Sequence, residues 1–344
     1  MLRSQPAGAM FMEMVTLKTT EGLPGARRAA MPSFVAPQLA TLVKEPPAGD
    51  DWLHELKFDG YRMLCHVDLN KVKFWSRNGK EWTSKFPNLT LAVKALPAKS
   101  AIIDGEVVIF ERDGRPSFQK LQHALGAGSN TRFSYVAFDL IHLDGLDLTR
   151  VALEHRKLIL KKLLDAIPAG GPLRYSDHVE GNGQLFYDHA CKTGIEGIVS
   201  KLRTSTYESA RNRNWIKVKC NKRQEFVVVG HIPSTKGLPG FGSLVLGVYE
   251  GRKLVYAGRV GTGFSMKQRV DLKRELDKHA RATSPLSTTP RDPGLREAHW
   301  IEPDLVAEVS FIEWTSDGSI RHPSFQGLRD DVSPKNVRRE LPQD

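Results

Sequence analysis

Between about residues 31 and 220, short runs rich in β-branched and aromatic residues alternate with helical stretches. "MLCHVDL" (63–69), "KVKFWS" (71–76), "AIIDGEVVIF" (101–110), "FSYVAFDLIHL" (133–143) and "GIEGIVSKL" (194–202) read as strands, whereas "EHRKLILKKLLDAI" (154–167) carries helical spacing. This alternation predicts a mixed α+β domain. After "VKCNKRQE" (218–225) the texture changes to strands divided by glycine turns: "EFVVVGHI", "GSLVLGVYEG" and "KLVYAGRVGTG". A helical "SMKQRVDLKRELDKHAR" (265–281) and a further strand run, "LVAEVSFIEW" (305–314), follow.

Short strands, glycine punctuation and one inserted helix fit a small β-barrel of the OB type. The expected organisation is a leader over 1–30, a first domain over 31–221 and an OB-fold domain over 222–344, without internal repeats. The leader shows little periodicity and ends in "GARRAAMPSF", so it reads as flexible, with Met31 as an alternative start. A length of 344 residues suits two cores better than one. No uninterrupted apolar run approaches the roughly 20 residues needed to span a bilayer, so a membrane role is not expected and a cytoplasmic setting is.

Fifty Lys and Arg against 39 Asp and Glu give a formal charge of +11, which suits a polyanionic partner such as nucleic acid or serves solubility alone. The three cysteines, Cys65, Cys191 and Cys220, are scattered and odd in number. Neither a disulfide framework nor a zinc site is indicated, and a reducing compartment is the expectation.

Polar residues on the strands carry the candidate chemistry. Asp104 and Glu106 lie two apart and share a strand face, as do Lys217 and Lys219 in "WIKVK". Glu196 and Lys201 bracket the apolar run of "EGIVSK", and Lys57 in "HELKFDGYR" stands between Glu55 and Asp59. Singly, each fits a solvated strand face or a salt bridge. Together, they suit a nucleoside triphosphate: cations for phosphate oxygens, carboxylates for a divalent metal, and an amine whose cationic neighbours favour its nucleophilic form.

"KFDGYR" resembles the K-x-D-G-x-R motif of the covalent nucleotidyltransferases. The likeness continues in order through "SRNG" (76–79), "DGEVVIF" (104–110), "FDL" (138–140), "EGIVSK" (196–201) and "WIKVK" (215–219). The C-terminal "FIEWTSDGSIRHPSFQGLRDD" is similar to the ligase module of bacterial end-joining ligase D, within the ATP-dependent DNA ligases. The resemblance, over roughly residues 33–340, implies an adenylation (nucleotidyltransferase) domain followed by an OB-fold domain. It implies a three-step reaction: Lys57 attacks the α-phosphate of ATP, AMP passes to the 5′-phosphate of a nick, and the 3′-hydroxyl displaces AMP.

By the same resemblance, Asp59 and Arg62 serve the metal and the terminal groups at the nick, and Arg77 grips the 5′-phosphate. Glu106 binds the ribose, Phe138 stacks on adenine, Glu55 lies beside the base, and Leu56 joins the nucleotide-binding residues. Lys217 and Lys219 neutralise the α-phosphate. Glu106 and Glu196 are the metal candidates, for Mg2+ or Mn2+. Arg321 and Arg329 are assigned to the departing pyrophosphate, with Lys335 a substitute for the cation that Val332 replaces. Closing of the OB domain over the first domain is the expected gating motion.

Eight basic residues over 201–223, with Tyr207 and Trp215 among them, suit a surface that tracks phosphates. His54, His66, His123 and His322 fall near motifs but lack metal-ligand spacing and read as structural or phosphate-adjacent. The expected partners are nicked or broken duplex DNA, a Ku homodimer, and separate polymerase or phosphoesterase proteins. The protein itself is expected to be a nucleoid-associated monomer. The alternatives are an RNA ligase or capping-type nucleotidyltransferase, or a DNA-binding factor on an inactive ligase scaffold.

Overall fold

A computed structural model describes residues 20, 22–127, 132–235, 237–288 and 292–343. The chain divides into two units, Met1–Cys220 with Pro342–Asp344, and Asn221–Leu341.

In the first unit the strands are β1 (Arg27–Arg28), β2 (Leu39–Leu42), β3 (Trp52–Leu56), β4 (Tyr61–Asp68), β5 (Lys71–Ser76), β6 (Ser100–Val108), β7 (Ser134–Leu143), β8 (Leu146–Asp147), β9 (Leu173–Tyr175), β10 (His178–Glu180), β11 (Gly197–Leu202) and β12 (Arg211–Lys219). Among the described residues they are accompanied by the α-helices α1 (Pro87–Val93), α2 (Phe118–Ala127), α3 (Leu153–Asp165) and α4 (Gly183–Lys192). One sheet runs β1-β8-β7-β6-β4-β5, with β9 beside β7, and the other runs β10-β3-β11-β12-β2.

Alternation along the strands sorts their residues between layers. Tyr61, Met63, Cys65 and Val67 of β4 join Ala101, Ile103 and Val107 of β6 in a core that also takes in Leu89, Leu121 and Leu160 of the helices. Residues of the other parity, Leu64 and Ile102, meet Leu53 of β3 and Trp215 of β12 in a second cluster that joins the two sheets. Behind the smaller sheet, Ile198, Ile216 and Val218 pack with Ala190 of α4. The middle cluster is where polar residues of the right parity converge.

The leader is partly placed. Residues 1–19 and 21 lie outside the described ones, but Arg27 and Arg28 pair with Asp147 and Leu146, and Leu23 and Ala26 pack on the core. The stretch expected to be flexible up to residue 30 therefore ends in sheet structure. At the other end, Gln343 N–H donates to Leu42 O at 2.9 Å.

The second unit holds β13 (Lys222–Ile232), β14 (Ser243–Glu250), β15 (Lys253–Val260), β16 (Ala280–Arg281), β17 (His299–Phe311), β18 (Glu313–Trp314), β19 (Ile320–Arg321) and β20 (Ser324–Leu328), with one α-helix, α5 (Met266–Lys278). The strands β15-β14-β13-β17-β16, with β20 on β17, form an antiparallel sheet. Register shifts at Val228/Gly230, Leu246/Gly247 and Glu308/Val309 bend it. Ser265 and Gln268 form a capping box at the start of α5.

The cysteine expectation needs correcting, since Cys191 and Cys220 are joined by a disulfide. Their separation of 29 residues hides the proximity that β11–β12 pairing creates. Among the described residues, no helix is long and apolar enough to cross a membrane.

A charge pair with both side chains fully buried lies next to the site. Arg156 on α3 donates from Nε and Nη2 to both carboxylate oxygens of Asp139, at 2.7 and 2.8 Å, with neither side chain exposed. Asp139→Ala would leave a guanidinium buried without its counter-charge. It should lower unfolding stability in chemical denaturation by about 3–5 kcal/mol, and a joint apolar replacement of both residues should recover most of that loss.

Candidate active site

The cleft between the two sheets gathers residues from β3, β4, β6, β7, β11 and β12. Lys57 follows β3, and its N–H donates to Gly197 O at 2.9 Å. This places its ammonium against β11, where Nζ donates to Glu196 Oε2 at 2.5 Å. Both side chains are largely shielded. Two motif glycines make the close approaches possible: a Cβ on Gly60 would stand 2.2 Å from Val107 O, and one on Gly197, at φ +153°, would stand 2.0 Å from Val218 O.

Glu55 is wholly enclosed. Its Oε1 accepts from Lys157 Nζ at 2.8 Å and its Oε2 from Ser176 Oγ at 2.7 Å, while Lys201 Nζ lies 3.0 Å from Oε1. Burial alone would raise the Glu55 carboxyl, but Lys157 and Lys201, with hydrogen bonds from Lys157 and Ser176, hold it below the usual carboxylate range. Burial wins at Lys201, whose ammonium is pushed down to about 8 against the attraction of Glu55. Two ammoniums on one carboxylate leave positive charge in excess here. The Lys201 ammonium also sits 4.3 Å from the ring centroids of Phe138 and of Trp215.

Arg62 closes a circuit. It donates to Asp104 from Nε at 2.9 Å and Nη2 at 2.5 Å, and from Nη1 to Gln38 O at 2.6 Å. Tyr207 OH donates to Asp104 Oδ2 at 2.7 Å and accepts from Gln38 N–H at 3.1 Å. Burial opposes the charge of Arg62, and Asp104 outweighs it, holding the guanidinium more firmly protonated than usual. The guanidinium lies 5.1 Å from the Phe138 ring and 5.4 Å from Trp215. The two rings meet edge to face at 6.1 Å; Trp215 is buried, so the half-buried Phe138 is the ring of the kind a base stacks on.

Glu106 stands opposite Arg62 in the β4–β6 register, and Lys217 and Lys219 share the parity of Trp215 along β12. Asp59 lies in the half-buried link between β3 and β4. Arg77 occupies a tight turn after β5, closed by Gly79 N–H to Ser76 O at 2.9 Å and Ser76 N–H to Lys80 O at 2.8 Å. Leu56 packs with the apolar cluster under α4, away from the cleft parity.

The OB-type unit holds the other two sequence candidates. Arg321 is exposed and paired with Glu313 at 2.9 Å. Arg329 is nearly buried, donating to Glu308 at 2.9 Å and to Asp331 at 2.7 Å, so its first duty is to hold its own fold.

The basic strip over 201–223 is not one surface. Lys201 is buried, Arg203 is held by Glu154 and Glu180, and Tyr207 and Trp215 turn into the core. Gln38, Lys157 and Ser176 went unnoticed in the sequence, and Tyr207 was noticed only as part of that strip. For Lys157 a signal existed: it follows Leu153 by four and precedes Leu160 by three, which puts a lysine on the core stripe of α3. His54 is structural, with Nδ1 2.8 Å from Ser200 Oγ. No group of three or more His, Cys, Asp or Glu that could hold a metal converges among the described residues.

Residues 36–219 match the family described as ATP dependent DNA ligase domain, and residues 238–332 match the ATP dependent DNA ligase C terminal region. The chain is 39% identical over 315 residues to the multifunctional non-homologous end joining protein LigD of Pseudomonas aeruginosa, covering 91% of this chain and 37% of that protein. For LigD of Mycolicibacterium smegmatis the identity is 36%, over 90% of this chain and 40% of the relative. The chain thus spans about two-fifths of the length of these relatives. A solved structure described as mycobacterial DNA ligase D complexed with ATP and MES superposes with a TM-score of 0.66 at 34% identity, covering 89% of this chain and 98% of the other. With its nucleotidyltransferase domain followed by an OB-fold domain, this chain belongs to the ATP-dependent DNA ligase family.

Proposed function

We propose that the chain seals breaks in duplex DNA by the three-step reaction, with Lys57 as the residue that carries AMP. The observation that supports this most is the Lys57–Glu196 pair at 2.5 Å in a cleft that also holds the half-buried Phe138 ring and the cations of β12. An ammonium has no lone pair, so Lys57 must release a proton before attacking phosphorus. That proton already lies in a hydrogen bond to Glu196, which is the acceptor in place. Lys217 and Lys219 then meet the charge that grows on the α-phosphate oxygens. Phe138 stacks on the adenine, and Glu106 takes the ribose hydroxyls. Glu55 orients β3, since its own oxygens are occupied by Lys157, Lys201 and Ser176.

Two carboxylates without a third fit a hard cation bound chiefly by phosphate oxygens and water. Glu106 and Glu196 would hold Mg2+, or Mn2+ on the same oxygen donors, and the ion would supply neutralisation of the triphosphate. Asp59 and Arg62 serve the ends of the nick, and Arg77 its 5′-phosphate. Arg321, the more exposed of the two OB-unit arginines, takes the pyrophosphate role, with Arg329 fixing its surroundings.

The relatives' description as end-joining proteins suggests the setting. We assign broken duplex DNA as substrate and a Ku homodimer as partner, together with polymerase or phosphoesterase activities. The protein acts as a monomer at the nucleoid.

Lys57→Arg keeps the positive charge but stays protonated. It should reduce transfer of label from ATP to the denatured chain by roughly 10³-fold or more, while duplex binding in a gel-shift assay persists. Labelling at the wild-type rate would return Lys57 to a salt-bridge role. Arg77→Ala should still form lysyl-AMP, yet seal a nicked duplex about 10²-fold more slowly. Normal joining of a pre-adenylated nick by this variant would contradict its placement.

A further inference from the structure

Cys191 and Cys220 take no part in the chemistry above, yet their bond sits at its edge. Cys191 lies in the last turn of α4 and Cys220 directly follows β12. The bond closes a covalent loop that contains Glu196, all of β11 and β12, and so Lys217 and Lys219. Cys220 N–H donates to Glu196 O at 2.9 Å, so the sulfur anchor stands at the residue facing the partner of Lys57. Glu196 is five positions from Cys191, and Lys219 is next to Cys220. Tyr187 of α4 adds one weaker tie, its hydroxyl donating to Lys219 O at 3.2 Å. α4 is thus fastened to the end of β12 by the covalent bond and this hydrogen bond, in addition to the packing of Ala190 on Val218.

Both cysteines are half-buried and within reach of solvent. The third cysteine is of another kind: Cys65 is fully enclosed in the helix-side core, where burial pushes its thiol up. It offers no thiolate to resolve or compete for the pair.

We propose that Cys191 and Cys220 form a thiol–disulfide exchange site for small thiols and disulfides, whose two states set how fast Lys57 accepts AMP. The inference rests on the adenylation reading above. In the reducing direction a small thiolate attacks one sulfur, the S–S bond breaks, and the other cysteine leaves as a thiolate that takes up a proton. A second small thiol attacks the mixed disulfide and frees the first cysteine. In sum the protein disulfide and two small thiols give two protein thiols and one small disulfide, with both electrons coming from the small thiols. A small disulfide runs the exchange backwards. In the bonded state Glu196 and Lys219 are pinned from both ends of the loop; in the dithiol state the end of β12 keeps its hydrogen bonds and the apolar packing of Val218 on α4 but loses its covalent tie. Reacting groups displaced by about 1 Å lose up to roughly 10²-fold in rate, so loosening at this point falls on the adenylation step.

The test uses the full chain equilibrated with oxidised or with reduced glutathione, then freed of it. Alkylation after denaturation should count one thiol in the first form and three in the second, since the chain has three cysteines. Transfer of label from ATP with magnesium should be about 10-fold faster or more in the disulfide form, fall on reduction, and return on re-oxidation. Cys220→Ser and Cys191→Ser should both show the slow rate under either treatment, with circular dichroism unchanged from wild type. Equal rates in the one-thiol and three-thiol forms would overturn the proposal while leaving the adenylation reading intact. So would three thiols in both preparations, or loss of the folded signal on reduction, which would make the bond a structural staple. Absence of label in every form would overturn both readings.

Discussion

A charge placed between the two sheets of the first unit must bring its partner with it, because desolvation there costs more than any single contact returns. The whole cleft is organised by that rule. Glu55 is matched by Lys157 and Lys201, Arg62 by Asp104, Asp139 by Arg156, and Lys57 by Glu196. Each pair joins different elements, so satisfying the charges also fixes the distance between sheets and helices. The groups suited to the chemistry are therefore held by the same contacts that hold the fold.

Excess positive charge distinguishes the Glu55 cluster from the neutral pairs around it. Two lysines share one carboxylate, and Lys201 is pushed down to about 8 by its burial. A cleft that leans positive suits an anionic ligand. The Arg62–Asp104–Tyr207–Gln38 circuit is the contrasting case: the guanidinium is balanced by one carboxylate, and the circuit lies against Phe138 and Trp215.

Much of this was legible in the chain. Strand alternation put Asp104 and Glu106 on one face and Lys217 and Lys219 on another, and the structure turns Asp104 into the cleft because Leu64 and Ile102 share its parity. What escaped was long-range. Arg156 and Lys157 sit among leucines on the buried stripe of α3, and helical spacing alone does not name the carboxylates that they meet. Ser176 reaches Glu55 across 121 positions, and Tyr207 reaches Asp104 across 103. The disulfide joins residues that only the β11–β12 pairing brings together. The strip of cations over 201–223 misled for a related reason, since adjacency in sequence on a strand means opposite faces in space.

The proposed reaction depends on one covalent step, the transfer of AMP to the amine of Lys57. Incubating the full chain with ATP and magnesium, digesting it under conditions that preserve phosphoramidates, and locating the adenylate by tandem mass spectrometry tests it directly. The account predicts AMP on the peptide containing Lys57 and its disappearance when nicked duplex DNA is added. AMP found instead on Lys157, Lys201, Lys217 or Lys219, or no adduct at all, would contradict it.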